Sequence, residues 1–267
     1  AANSGSPWPT VWNTLSNGMN ISSFYRISSS RNTTGRLLAG AQDNGSFYYD
    51  GTAWNTVYGG DGMDNYLDSA NDNVLICSSQ YGNFGLSTDN GMTFNGNFNP
   101  FGEVGEWTSP LTPDYRNYGT LYAGFTNINK STDNGNTWNQ LSPLPLGVVN
   151  TNELSAIAVS YSNPNTIYAA RRIRYELGEP GSVFVSHNGG SSWTNITAGL
   201  PDSLYYTSMA VSTTDANTAY ITMAQFSAGN KVFRTTNAGS TWQNISYNLP
   251  NIPVNSITTI PGSTALM

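Results

Sequence analysis

Short runs of small, β-branched and aromatic residues, separated by clusters of Asn, Gly, Asp, Ser and Pro, repeat along the whole chain. That alternation is the pattern of strands joined by turns. The runs come in sets of three. A first member spans Phe24–Ser28, Met63–Asp68, Gly105–Leu111, Leu154–Ser160, Tyr206–Ser212 and Val254–Ile260. The second spans Leu37–Gln42, Val74–Gln80, Thr120–Thr126, Thr166–Arg172 and Thr218–Gln225. A third spans Ser46–Tyr49, Asn83–Ser87, Asn127–Ser131, Ser182–Ser186 and Lys231–Thr235. No stretch sustains a helical period with capping signals, so almost no helix is expected.

Each third run leads into a recurring phrase. It reads Ser87-Thr-Asp89-Asn-Gly91-Met-Thr93-Phe94, Ser131-Thr-Asp133-Asn-Gly135-Asn-Thr137-Trp138, Ser186-His-Asn188-Gly-Gly190-Ser-Ser192-Trp193 and Thr235-Thr-Asn237-Ala-Gly239-Ser-Thr241-Trp242. The third positions lie 44, 55 and 49 residues apart. A short carboxylate or amide there accepts N–H bonds from the turn that follows, and Gly two residues on supplies a positive φ. The closing aromatic opens a fourth strand and fills a slot between layers. Because the third position is Asp twice and Asn twice, its work is read as turn-making, not catalysis or metal binding.

Aligned on Trp12, Trp54, Phe94, Trp138, Trp193 and Trp242, the chain begins on the fourth strand of one unit. It then runs through five four-stranded units and enters a sixth, stopping at Thr264-Ala-Leu-Met267. Repeats of roughly 40–50 residues with four strands each predict propeller blades. The expected fold is therefore an all-β propeller of about five complete antiparallel blades plus partial terminal ones, in an open or truncated ring. Residues 1–267 are read as one such domain, a fragment of a longer protein.

The phrase resembles the Asp-box, or BNR repeat, of sialidases, xyloglucanase-type glycoside hydrolases and sortilin-like receptor propellers. The pair Gln42-Asp43-Asn44-Gly45 and Gly59-Gly60-Asp61-Gly62 resembles the opening blades of secreted proteins of the sortilin and xyloglucanase-like group, common in Bacteroidetes. That resemblance implies a propeller at the cell surface and a glycan or protein ligand.

Composition narrows the function. Only 10% of residues are charged and the net charge is −6, which disfavours a nucleic-acid partner. Solubility carried by amides and hydroxyls suits a secreted or surface protein. Neither membrane insertion nor a cofactor is expected: no apolar run reaches spanning length, and a lone Cys77 and lone His187 make no metal set.

Candidate chemistry sits where a propeller's inner strands begin and end. Asp43, Asp61, Asp64, Glu103, Glu106 and Glu153 all fall there, beside glycines that permit close backbone approach. The first five are the catalytic candidates, since paired carboxylates perform glycoside chemistry at ~5–5.5 Å or ~6.5–9.5 Å. Asp43, Asp61, Asp64, Glu106, Trp107, Arg171 and Tyr81 are the ligand-binding candidates, the aromatics as stacking platforms. Tyr25-Arg26-Ile27, followed by Asp43, also resembles the sialidase opening, in which an Arg binds the substrate carboxylate. Here Ser28 replaces the expected Pro, and no Tyr/Glu nucleophile pair can be picked out by spacing. Two functions compete: an adhesion or interaction propeller, and a glycoside hydrolase. The first leads because no complete catalytic set can be assembled from this sequence.

Overall fold

A computed structural model describes residues 22–99, 102–145, 153–260 and 266–267. The expectations resting on Trp12 and on Thr264 lie outside them. Five four-stranded antiparallel sheets follow one another in sequence order. The first blade holds β1 (Phe24–Ser29), β2 (Leu37–Ala41), β3 (Gly45–Tyr49) and β4 (Trp54–Tyr58). The second holds β5 (Asn65–Leu67), β6 (Leu75–Ser79), β7 (Asn83–Ser87) and β8 (Asn95–Phe98). The third holds β9 (Leu111–Pro113), β10 (Leu121–Gly124), β11 (Ile128–Ser131) and β12 (Asn139–Gln140). The fourth holds β13 (Leu154–Val159), β14 (Ile167–Arg171), β15 (Ser182–Ser186) and β16 (Thr194–Asn195). The fifth holds β17 (Tyr206–Val211), β18 (Ala219–Met223), β19 (Val232–Thr235) and β20 (Gln243–Asn244). The first strands contact one another in order, β1 to β5 to β9 to β13 to β17, and so line an axis. This is the expected propeller of meandering blades. The described residues carry no α-helix, only two three-residue 3-10 turns.

Each inter-blade layer is apolar. Tyr168, Val183 and Val185 of the fourth blade pack on Met209, Ile221 and Phe233 of the fifth. Trp138 seats against the second blade's cluster of Ile76, Phe84 and Leu86. Trp242 docks on the fourth blade and donates its indole N–H to the Ile196 carbonyl at 2.8 Å. Past β20, Ile257 and Val254 cover Ala210, Tyr220 and Val232, so a sixth unit starts on the fifth blade. There the sequence predicts a strand over Val254–Ile260, but the described pairing is a single antiparallel bridge, Thr259 to Leu266.

Two other expected strands are shorter. The second blade's inner strand covers only Asn65–Leu67 of Met63–Asp68: before it, the Met63 N–H and the Asp64 carbonyl both bond Ser78 of β6, so the pairing bulges there. The third blade's inner strand is Leu111–Pro113, not Gly105–Leu111. Glu106 to Ser109 instead make a turn, closed by the Ser109 hydroxyl donating to the Glu106 carbonyl at 3.0 Å.

The repeated phrase forms the hairpin between third and fourth strands with one hydrogen-bond scheme. In the second blade Ser87 Oγ donates to Asp89 at 2.8 Å and accepts from the Gly91 N–H at 2.9 Å. Asp89 also accepts from the Thr93 N–H at 2.9 Å and the Thr93 hydroxyl at 2.6 Å. These bonds, first the Thr93 hydroxyl, hold the Asp89 carboxyl down at about 2. Where Asn stands instead, its oxygen keeps the first two roles and its amide reverses the third. Asn188 Nδ2 donates to Ser192 Oγ at 2.8 Å, and Asn237 Nδ2 to Thr241 Oγ1 at 2.9 Å. Amide and carboxylate are thus equivalent here, which is why both occur.

The fourth position of the phrase bends as sharply as the glycine after it. Asn90, Asn134, Gly189 and Ala238 have φ of 64°, 59°, 68° and 53°. Their N–H groups point into the turn between first and second strands, reaching the carbonyls of Asn73, Gly119, Asn165 and Asn217 at 2.9–3.0 Å. Left-handed backbone costs an alanine about 1–2 kcal/mol. Ala238→Gly is therefore expected to stabilise the protein by about 0.5 to 1 kcal/mol, the gain being trimmed by the entropy glycine loses on folding. A denaturation midpoint that falls or stays level in this variant would contradict the account.

Candidate functional site

With both kinds of turn locked at one end of the blades, the other end carries the hairpins between second and third strands and the crossings between blades. The acidic candidates all lie at that end, in three groups with Glu103 set apart.

The first group is a backbone-packed corner. Gly62 N–H bonds to the Ala41 carbonyl at 2.9 Å, pressing the crossing between first and second blades against the β2–β3 hairpin. Gly40, Gly45 and Gly62 meet backbone to backbone there. A methyl group on Gly45 would lie 2.2 Å from the Tyr58 carbonyl oxygen. Asp61 staples the corner: one carboxylate oxygen accepts the Asp43 N–H at 2.5 Å and the other accepts from Gln80 Nε2. Asp43 itself is exposed at a φ of 61°.

Asp64 is buried on the channel wall. Its two oxygens accept the N–H groups of Asn65 and Leu111, each at 2.9 Å, joining the second blade to the third. Burial raises its pKa, against the opposing pull of Arg26 and those two donors. Glu103 lies apart from the other acids. It accepts from Asn127 N–H at 3.3 Å and from Gln140 Nε2 at 2.7 Å, stapling its loop to the third blade.

The third group is an ionic cluster between blades. Arg172 Nε lies 2.9 Å from Glu106 and 3.0 Å from Glu153. Arg174 approaches Glu153 at 3.3 Å and Glu176 at 2.9 Å. The Tyr205 phenol meets Glu106, and burial together with that carboxylate pushes its pKa up. Burial also raises Glu106, while Arg172 pulls it back. Two carboxylates are thus held on one guanidinium nitrogen, with Arg174 as a second cation on Glu153. Neither stands across an open gap from the other.

Trp107, on the turn after Glu106, is 37% exposed and meets the half-exposed Tyr81 edge-on, with ring centroids 5.4 Å apart. Its indole N–H donates to Tyr25 Oη at 3.1 Å, and Tyr25 donates on to Gln42 Oε1 at 3.1 Å. Tyr81 is held at a φ of 63°, a conformation that non-glycine residues rarely take except where the surroundings impose it. Trp107, Tyr81 and Tyr25 therefore form a rim of ordered aromatics from the crossing before β9, the β6–β7 hairpin and the start of β1.

Arg171 is not in this neighbourhood of ligand-facing groups. It is buried, donates to the carbonyls of Pro145 and Thr126 at 3.3 and 3.1 Å, and burial lowers its pKa. Its neighbour Arg172 reaches the face instead, since successive residues at a strand end point opposite ways. The sequence alone gives no basis for choosing Arg172, Arg174 or Tyr205 over their neighbours. The alternation along β14 was the signal available.

The inner strands enclose a channel of about 800 Å³, lined in part by Arg26, Arg31, Asp64, Met209 and Thr258. Among the described residues, no helix is long and apolar enough to cross a membrane.

No family model matches the chain, and no curated protein matches it. Solved structures do. A GH74 enzyme from Niastella koreensis aligns over 88% of this chain and 42% of its own, at 18% identity and a TM-score of 0.65. The extracellular domain of the one-component system BT4673 from B. thetaiotaomicron aligns over 88% of this chain and 30% of its own, at 14% identity and a TM-score of 0.60. YCF48 from Cyanidioschyzon merolae aligns over 89% of both chains, at 9% identity and a TM-score of 0.53. These likenesses show the β-propeller fold. The chain spans less than half the length of the GH74 enzyme and of the extracellular-domain structure.

Proposed function

We propose that this chain is a secreted or cell-surface propeller of the Asp-box type that recognises glycans or protein partners through the rim of Trp107, Tyr81 and Tyr25. The observation that carries this reading is the division of labour on one face. Asp61 and Asp64 have both oxygens taken by donors, and Glu106 and Glu153 share Arg172. The aromatics beside them stay accessible in fixed orientations. Exposed, pre-ordered aromatic faces give binding at little entropic cost. The likeness to an extracellular domain and to GH74 enzymes supports the setting without naming the ligand.

A glycan array and a panel of chromogenic polysaccharides test the proposal. Binding without turnover, weakened at least about tenfold by Trp107→Ala, is the expected result. The hydrolase reading rests on Asp64, a buried channel carboxylate whose pKa is raised as a general acid requires. Turnover that disappears in Asp64→Asn would replace the binding reading with that one.

A further inference from the structure

The end of the blades opposite the Trp107 rim repeats one frame with a changing insert. In every blade the turn between first and second strands is closed by a Ser or Asp whose side chain accepts an N–H two or three residues on. Ser30 accepts from Thr33 at 2.7 Å, Asp68 from Ala70 at 2.7 Å and Asp114 from Arg116 at 2.9 Å. Ser160 accepts from Asn163 at 3.2 Å and Ser212 from Thr214 at 3.3 Å. The residues that follow these five are Arg31, Ser69, Tyr115, Tyr161 and Thr213. Four of them border the channel mouth, and Ser69 borders the recess beside it. The turn is closed without their side chains, which are therefore free for recognition on a rigid support.

Stacking joins three of these loops. Arg31 lies 3.9 Å above the Tyr115 ring, and Arg116, the next residue along, lies 5.6 Å from the centre of the Tyr161 ring. Arg, Tyr, Arg and Tyr thus alternate across the first, third and fourth blades, and all four side chains are exposed. Neither guanidinium has an ion pair or a hydrogen bond among the described residues. An aromatic ring holds a guanidinium by its face and leaves its N–H edge free to grip a carboxylate. The acids of the same loops are already engaged: Asp68, Asp114 and Asp215 accept N–H groups of their own turns, and Asp72 pairs with Arg36. Tyr118, 65% exposed, adds a third ring beside Tyr115 and Arg116.

We propose that this mouth docks an acidic segment of a partner protein, its carboxylates on Arg31 and Arg116 and its apolar side chains against Tyr115, Tyr118 and Tyr161. Arg and Tyr are the side chains that dominate protein interfaces. A sulfated polysaccharide would meet the two cations but brings no apolar group to three exposed rings. The surface lies at the other end of the blades from Trp107 and does not depend on it.

Fluorescence anisotropy of the full chain with a labelled dodecapeptide of repeating Glu-Glu-Tyr tests it, beside a Gln-Gln-Tyr counterpart and a labelled heparin hexasaccharide. The acidic peptide is expected to bind, with the other two about tenfold or more weaker and with affinity falling as salt rises. Arg31→Gln and, separately, Arg116→Gln should each weaken the acidic peptide about fivefold, and Tyr161→Ala by a similar factor. Lys130→Gln removes the same charge from β11, outside these loops, and should leave binding unchanged. Circular dichroism of each variant confirms that the fold is kept. No binding of the acidic peptide, equal binding of its Gln counterpart, tighter binding of heparin, or an equal loss in Lys130→Gln would overturn the proposal. Peptide binding lost in Trp107→Ala but kept in both arginine variants would overturn it too, by placing the peptide on the rim. Arginine-dependent peptide binding in a protein whose Trp107→Ala variant loses nothing on the glycan array would reject the rim and leave this mouth standing.

Discussion

Gly62→Ala is expected to lower stability by about 3 kcal/mol, while Gly59→Ala, three residues earlier, costs nothing or stabilises slightly. At Gly62 an added methyl group would stand 2.2 Å from the Gly45 carbonyl oxygen and 2.8 Å from the Ala41 nitrogen. Every obstacle is main chain, so no rotamer change relieves it. The surrounding bonds, Gly62 N–H to Ala41 and Met63 N–H to Ser78, would have to open with it. At Gly59 nothing lies within 4 Å of the added carbon. Because Asp61 sits between these positions and ties down Asp43 and Gln80, Gly62→Ala should also weaken ligand binding at the rim. Urea denaturation of the two variants decides the matter, and equal midpoints would refute backbone packing as the reason for these glycines.

That corner also marks how far the sequence could be read. The blades were legible because their turns are chemical: Ser, Asp or Asn, Gly and an aromatic at fixed offsets each satisfy a specific bond, four times over. The Gly-rich loops were legible as special, and their acids as lying near one end. Which acid met which partner was not, because the joining elements are irregular. Gly105–Leu111 looks like its counterparts and reads as strand, yet the Ser109 hydroxyl closes a turn on the Glu106 carbonyl and the Gly105 N–H goes to Tyr81. Arg171 and Arg172 differ by one residue, and a one-residue shift decides whether a guanidinium binds backbone carbonyls inside or carboxylates at the face. Long-range pairs such as Trp107 with Tyr25, 82 residues apart, leave no local signature.

Arg172→Met should destabilise the protein by about 3 kcal/mol at neutral pH, through what it leaves behind more than what it removes. Methionine fills a similar volume, so packing is largely kept. Glu106 and Glu153 then stand as two poorly hydrated carboxylates without their shared cation. The lower end of the usual range applies because the Arg172 side chain is 26% exposed and water can partly replace it. The pH dependence carries the sign. Burial already holds the folded Glu106 pKa above its ordinary value, with Arg172 opposing. Removing Arg172 raises it further, so the folded state binds a proton that the unfolded chain has released. Stability of the variant is then greatest below the ordinary carboxylate range and falls as pH rises through the raised Glu106 value. The deficit against the parent protein should shrink on acidification, and Glu106→Gln combined with Arg172→Met should recover part of it at neutral pH. Denaturation midpoints across pH 4 to 8 measure both effects. A deficit that grows on acidification, or a double variant no better than Arg172→Met, would show that the arginine acts by packing and not by charge.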